Sequence, residues 1–227
     1  LAEILNEAQH SFAGHRKHII ILKKLQGRNP SQFFEDFCGC LDHVLLVFKR
    51  EPTVERIVSF MVSFATFQSD AHAYDHLFCT TLLAYLVEFA HRQEKAVRFR
   101  SCQLIAGILA SMSEETDMED ALWEALEQAM LARCKDKIPT VRVHAIAALA
   151  RLQNPEEEDD IVTQALLYRL EHDLSADVRK SVLTNIGLSR TTLPAVIART
   201  RDVREDVRRH TYTVLAARVD LRAFSLS

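Results

Sequence analysis

Apolar residues in this chain recur at helical spacing and almost never alternate. Phe33, Phe37, Leu41, Val44, Leu45 and Phe48 share one face of a helix expected over 33–49. Val141, Ala145, Ala148, Leu149 and Leu152 follow i, i+4, i+7, i+8, i+11 and predict another. Clear breaks separate such stripes. Gly27-Arg28-Asn29-Pro30-Ser31 is one, and Glu51-Pro52-Thr53 is the next, with Pro52 suited to the first position of a helix. The same reading predicts one or two helices over 1–26 divided at Gly14, then helices over about 52–67, 77–91 and 97–111. A helix carrying Leu122, Leu126, Ala129, Met130 and Ala132 comes next, followed by helices near 161–171 and 178–187. A last pair starts at Thr192-Leu193-Pro194, turns at 202–206 and runs from Val207 towards Leu221. Residues 68–75 and 113–120 read as polar loops.

A short phrase recurs within this pattern. A Val-Arg pair opens an apolar stripe at Val97-Arg98, Val141-Arg142, Val178-Arg179 and Val207-Arg208. The steps between the valines are 44, 37 and 29. An older copy is suggested by Val54-Glu55-Arg56. A loose period near 40 without strand alternation is the mark of helical pairs stacked in a solenoid. The expected fold is therefore all-α: about five antiparallel helix pairs in a HEAT-type superhelix, with Val141, Leu149, Val178, Val182 and Val214 buried. Such chains bind along a surface and seldom carry chemistry.

In the last three copies an Asp stands five residues before the Val: Asp136, Asp173 and Asp202. The Asp falls in the turn between two helices and the Arg opens the second. Arg142, Arg179 and Arg208 can thus pair with these carboxylates, across the turn or from one repeat to the next, as a structural ladder.

Composition adds an electrostatic question. The net charge is −3, but residues 1–130 carry 12 Lys/Arg against 18 Asp/Glu, and residues 131–227 carry 16 against 13. Local patches must therefore carry any electrostatic argument. Cations that ladder packing does not require gather at the turns: Lys135 and Lys137, Arg100, Lys49 and Arg50, and Arg204 and Arg209. A second group, Arg16, Lys17, Lys23 and Lys24, lies in a stretch without acids. Equivalent turns of a solenoid stack along a ridge, so basic turns would form a stripe of the kind that binds nucleic-acid phosphates. An ordinary solvated surface is the competing explanation.

Other chemistry has little support. There is no His-Glu-x-x-His, no Gly-rich phosphate loop and no Gly-x-Ser-x-Gly elbow, so no catalytic residue, metal or cofactor is expected. Cys38 and Cys40 are two residues apart and diverge on a helix. The five cysteines lack a framework spacing and read as reduced, intracellular, mostly core thiols. No apolar run reaches the roughly 18 residues of a membrane span. The chain begins without Met and ends mid-pattern, as a fragment would.

Particular stretches resemble a known family. Val47-Phe48-Lys49-Arg50-Glu51-Pro52-Thr53-Val54-Glu55-Arg56, Ala96-Val97-Arg98-Phe99-Arg100 and the run from Ala129 to Arg142 resemble the amino-terminal region of the CAP-G family, the HEAT-repeat subunits of condensin. The stretches from Ala148 to Pro155 and from Arg199 to Val203 continue the resemblance in order. The family's acidic insertion is much reduced here, around 68–75. The resemblance implies that residues 1–227 are one amino-terminal segment of a longer repeat array. It also implies a non-enzymatic subunit that, with the kleisin CAP-H, holds double-stranded DNA in a basic groove, and that meets the SMC subunits indirectly. A generic HEAT adaptor that binds only protein is the other class, and it would have no need of phosphate-facing cations.

Overall fold

The computed structural model describes residues 1–67, 74–113 and 118–219. Residues 68–73 of the expected reduced insertion, 114–117 of the acidic loop, and Leu221 lie outside the described residues; the last helix, expected to run towards Leu221, ends at Arg218. Among the described residues the secondary structure is helical throughout, with no strand. The chain divides into two compact units, Leu1–Ala129 and Met130–Ser227.

The first unit starts with α1 (Ala2–Ala8), a 3-10 turn (Phe12–Gly14) and α2 (His15–Gln26). Then come α3 (Pro30–Leu45), α4 (Pro52–Ala65), α5 (Tyr74–Ala90) and α6 (Lys95–Ser111). The helix expected over 33–49 begins earlier and ends earlier. Asn29 caps it by accepting the Gln32 N–H at 3.2 Å, and Pro30 occupies the first turn, where a missing N–H costs nothing. Pro52 opens α4 in the same way. The core is aromatic: Phe37, Phe64 and Phe78 meet with ring centroids 5.1–5.6 Å apart, and Phe33 lies against all three. Helix α6 packs on α3, α4 and α5 and is buried along most of its length. At Gly107 a Cβ would lie 2.8 Å from Val62 Cγ2, so glycine permits the close approach of α6 to α4.

Helix α7 (Asp120–Arg133) runs across the division. The second unit then holds α8 (Pro139–Leu149), α9 (Ile161–His172), α10 (Ala176–Asn185), α11 (Leu193–Ala198), a 3-10 turn (Arg199–Arg201) and α12 (Glu205–Arg218). Helices α8, α10 and α12 pack in sequence as a row, while α9 lies against α10 and α11. Pro139 is the first residue of α8, not part of the preceding turn. Val141, Leu149, Val178 and Val182 are inaccessible and Val214 is nearly so, which makes them the interior of the row. A polar clasp joins consecutive repeats: Gln153 donates to the Asn185 carbonyl and accepts the Gly187 N–H. A Cβ at Gly187 would lie 2.4 Å from Pro155 Cγ.

Four of the five thiols, Cys38, Cys79, Cys102 and Cys134, are buried in helix packing. Burial pushes Cys38 and Cys134 up to about 12 and Cys79 up to about 11, so these three are thiols, not thiolates, at neutral pH. No group of residues able to hold a metal ion occurs among the described residues. No described helix is long and apolar enough to cross a membrane.

Candidate nucleic-acid interface and the ladder beneath it

The repeated phrase folds into a two-way clamp in the second unit. Arg142 donates through Nε and one Nη to the two carboxylate oxygens of Asp173, both at 2.8 Å. Its other Nη donates at 2.8 Å to the carbonyl of Asp136. Arg179 does the same one repeat on, to Asp202 at 2.8 and 2.7 Å and to the Asp173 carbonyl at 2.7 Å. Arg208 donates to the Asp202 carbonyl at 2.8 Å. The arginine therefore serves both neighbours: the carbonyl of its own turn and the carboxylate of the next. Each bidentate contact uses the planar fork that lysine lacks.

The carboxylates also shape their own turns. Asp136, Asp173 and Asp202 each accept the backbone N–H two residues on, from Ile138, Ser175 and Arg204, at 2.9 Å. An arginine three or four residues upstream also reaches each carboxylate: Arg133 at 3.0 Å, Arg169 at 3.6 Å and Arg199 at 3.7 Å. Arg98, in the first unit, repeats the carbonyl half of the clamp by donating to Arg92 and Gln93. There the ladder position is occupied by Arg92, so this copy brings no carboxylate of its own.

These contacts outweigh burial in setting the carboxyl groups. Desolvation alone would raise Asp173. The Arg142 hydrogen bonds, the Ser175 N–H and the charges of Arg142 and Arg169 hold it below its ordinary value. Asp202 is likewise lowered, against desolvation, by Arg179, the Arg204 N–H and the charge of Arg199. A carboxyl lowered in the fold contributes stability that is present above the unfolded value, about 3.9, and lost as pH falls through the folded one. The stability gap between wild type and Asp202→Asn is thus expected to stay level from neutral pH to about 5 and to narrow below about 4. Urea unfolding across that range measures it, and a gap independent of pH would contradict the assignment.

The expected phosphate contacts divide by burial. Lys135 and Lys137 are exposed on the turn between α7 and α8. Arg204 and Arg209 are exposed at the start of α12, beside Asp206 at 3.2 Å and Glu205 at 2.9 Å. Lys49 and Arg50 are exposed between α3 and α4, with Lys49 3.0 Å from Glu51. Arg16, Lys17 and Lys24 are exposed on α2. Exposed pairs of this kind are weak and can exchange for a phosphate.

Two members of the expected set do not belong to any surface. Arg100 has 0% exposure. Its guanidinium donates to the carbonyls of Val47 (2.7 Å) and Lys49 (2.8 Å), to Glu55 (2.7 Å) and to Gln103 (2.6 Å). Gln103 closes the network by donating to Glu55 at 2.8 Å. Arg100 therefore holds the turn that displays Lys49 and Arg50 and cannot reach a phosphate. Lys23 is also buried, with its ammonium 4.4 Å from the Phe64 ring centroid. Apolar packing and a cation–π contact occupy it, in place of the phosphate expected from its charge.

No protein-family model matches the chain. Individual proteins do. The chain is 36% identical to human condensin complex subunit 3 over its whole length, and 32% identical to the Schizosaccharomyces pombe protein of that name over 99% of it. The fold agrees. The crystal structure of the S. pombe condensin Cnd3–Cnd2 subcomplex matches 97% of the chain with a TM-score of 0.82 at 32% identity. The chain belongs to the condensin complex subunit 3 family. It spans 23% of the length of the human relative, 25% of the fission-yeast one and 28% of the matched crystal chain. A designed armadillo repeat protein in complex with a (KR)4 peptide also matches, with a TM-score of 0.52 at 17% identity, and shares the repeat architecture alone. The fold of the chain is accordingly the HEAT/armadillo class of stacked helix pairs.

Proposed function

We propose that this chain is a non-enzymatic HEAT-repeat segment of condensin that grips double-stranded DNA together with the kleisin subunit, CAP-H, in mitotic chromosome condensation. Its working place on this reading is the nucleus and cytoplasm, and chromosomes in mitosis, with the SMC subunits reached indirectly. The observation that carries the DNA reading is the division of labour at the turns. The ladder arginines are consumed by carboxylates and carbonyls, while Lys135 and Lys137, on either side of a ladder Asp, remain exposed and pair with no acid among the described residues. Phosphate contact by such residues positions a duplex without reading its bases. The kleisin reading is supported by the likeness to Cnd3 in the Cnd3–Cnd2 subcomplex. An extended kleisin segment on the row formed by α8, α10 and α12 fits that reading.

The experiment is duplex binding by the chain, with and without a kleisin segment, as a function of salt. The logarithm of affinity is expected to fall linearly with the logarithm of salt, with equal slopes for unrelated sequences, and to rise when the kleisin segment is added. Indifference to salt would return the chain to the class of protein-only adaptors. Strong sequence preference would contradict a backbone-only grip.

A further inference from the structure

The exposed apolar residues of the second unit follow the ladder register. Counting from the ladder Asp, the fifth residue before it is Tyr168 in one repeat and Ile197 in the next, and both are exposed. The residue just after it is Leu174 in one and Val203 in the next, exposed to 98% and 89%. Only two other large apolar residues of the described part of this unit are exposed, Ile161 and Tyr212. Single exposed apolar residues are ordinary, but a two-by-two array at equivalent repeat positions is a patch.

The array is held rigidly. Arg179 ties Asp173 to Asp202, which fixes the distance between the Leu174 and Val203 turns. Asp173 and Asp202 each fasten the turn that carries the aliphatic side chain by accepting an N–H two residues on. Tyr168 stacks on His172 with centroids 4.6 Å apart, and Arg169 covers its ring at 4.9 Å. Little ordering would thus be required on binding, which favours affinity.

The array carries cations of its own. The residue just before the ladder Asp, between the two apolar positions, is His172 in one repeat and Arg201 in the next. Arg201 is exposed and pairs with no acid among the described residues, and Arg204 follows Val203. Of the neighbouring acids, Asp177 faces Lys180, Glu205 faces Arg209, and Asp206 lies between Lys180 and Arg204. A polyphosphate backbone would meet Arg201 and Arg204 but would leave four apolar side chains facing water or charge. We infer that this outer turn surface docks an acidic, aliphatic protein segment, whose apolar residues cover Leu174, Val203, Tyr168 and Ile197 and whose carboxylates meet Arg201 and Arg204. On this reading the Arg204 turn goes to the protein partner and the duplex keeps the Lys135 and Lys137 turn; the kleisin on the α8–α10–α12 row is separate from both.

The test pans the chain against a displayed library of short random peptides. The enriched peptides are expected to combine aliphatic or aromatic residues with Asp or Glu. The affinity of a selected peptide, measured by fluorescence anisotropy, should fall at least about tenfold in the Leu174→Ser/Val203→Ser variant. It should fall in Arg201→Glu and weaken with salt. Both variants change exposed side chains, and an unchanged thermal transition checks that the fold is intact. No enrichment, enrichment of basic peptides, or equal affinity for the double variant overturns the inference. So does loss of duplex affinity in the double variant, which would give the surface to DNA. Retained duplex binding with lost peptide binding separates this surface from the grip proposed above.

Discussion

Replacing Arg179 by alanine is expected to lower the unfolding free energy by about 3–5 kcal/mol, the cost of leaving a buried charge without its partner. Arg179 is 5% exposed and Asp202 is 6% exposed. The substitution removes both carboxylate hydrogen bonds and leaves the Asp173 carbonyl without this donor. The Asp202 carboxylate keeps only the Arg204 N–H and the distant Arg199. The same logic makes a second variant informative. Replacing both partners with apolar residues, Arg179→Met with Asp202→Leu, removes the buried charges together and should recover much of the loss. The Arg209–Glu205 pair is the control. Both side chains are about three-quarters exposed (78% and 75%), so Arg209→Ala should cost no more than about 1 kcal/mol. Chemical denaturation of the three variants measures the ranking. Equal, small effects at Arg179 and Arg209 would mean that the ladder is not what joins these repeats.

Arg100→Ala is expected to cost a similar amount, about 3–5 kcal/mol, for a different reason. Here one guanidinium satisfies two backbone carbonyls and Glu55 across 45–53 residues of sequence. Its loss leaves those acceptors without this donor and frees the turn that bears Lys49 and Arg50. Lysine offers one point charge in place of the fork, so Arg100→Lys should recover only part of the stability. In duplex binding, neither substitution should remove a phosphate contact of its own. A lowered salt slope in Arg100→Lys with an unchanged unfolding transition would reverse this and return Arg100 to the DNA surface.

The architecture was legible because it rests on local chemistry. Proline at the first turn of α3, α4 and α8, apolar residues at helical spacing and a recurring Val-Arg pair are all visible without tertiary structure. The partners of the ladder were legible as residue types, while their direction was not. Spacing alone left open whether an arginine serves its own turn or the next, and the fork serves both. Arg133, Arg169 and Arg199, which support each ladder Asp, had a signal that went unused: an arginine three or four residues upstream in every copy. Lys23 also had one. It falls with Ile19, Leu22 and Gln26 on the buried stripe of α2, where helical spacing alone would have placed it inside. Arg100 had the same signal, since it falls with Val97, Leu104 and Ile108 at helical spacing in α6, but the carbonyls that make its burial tolerable come from a turn some fifty residues earlier. The array of Leu174, Val203, Tyr168 and Ile197 was hidden for the opposite reason. Apolar residues near a helix end suggest core until accessibility is known.

The most direct test of a turn-borne, sequence-independent DNA grip is the salt slope of the Lys135→Glu/Lys137→Glu variant. It should be measured with the kleisin segment present, on two unrelated duplexes. Both lysines are exposed in a turn, so the unfolding transition should match wild type. The slope should fall by about 0.9 for each lost contact, equally on both duplexes. An unchanged slope and affinity near physiological salt would remove this turn from the DNA surface, and a loss confined to one duplex would contradict backbone-only binding.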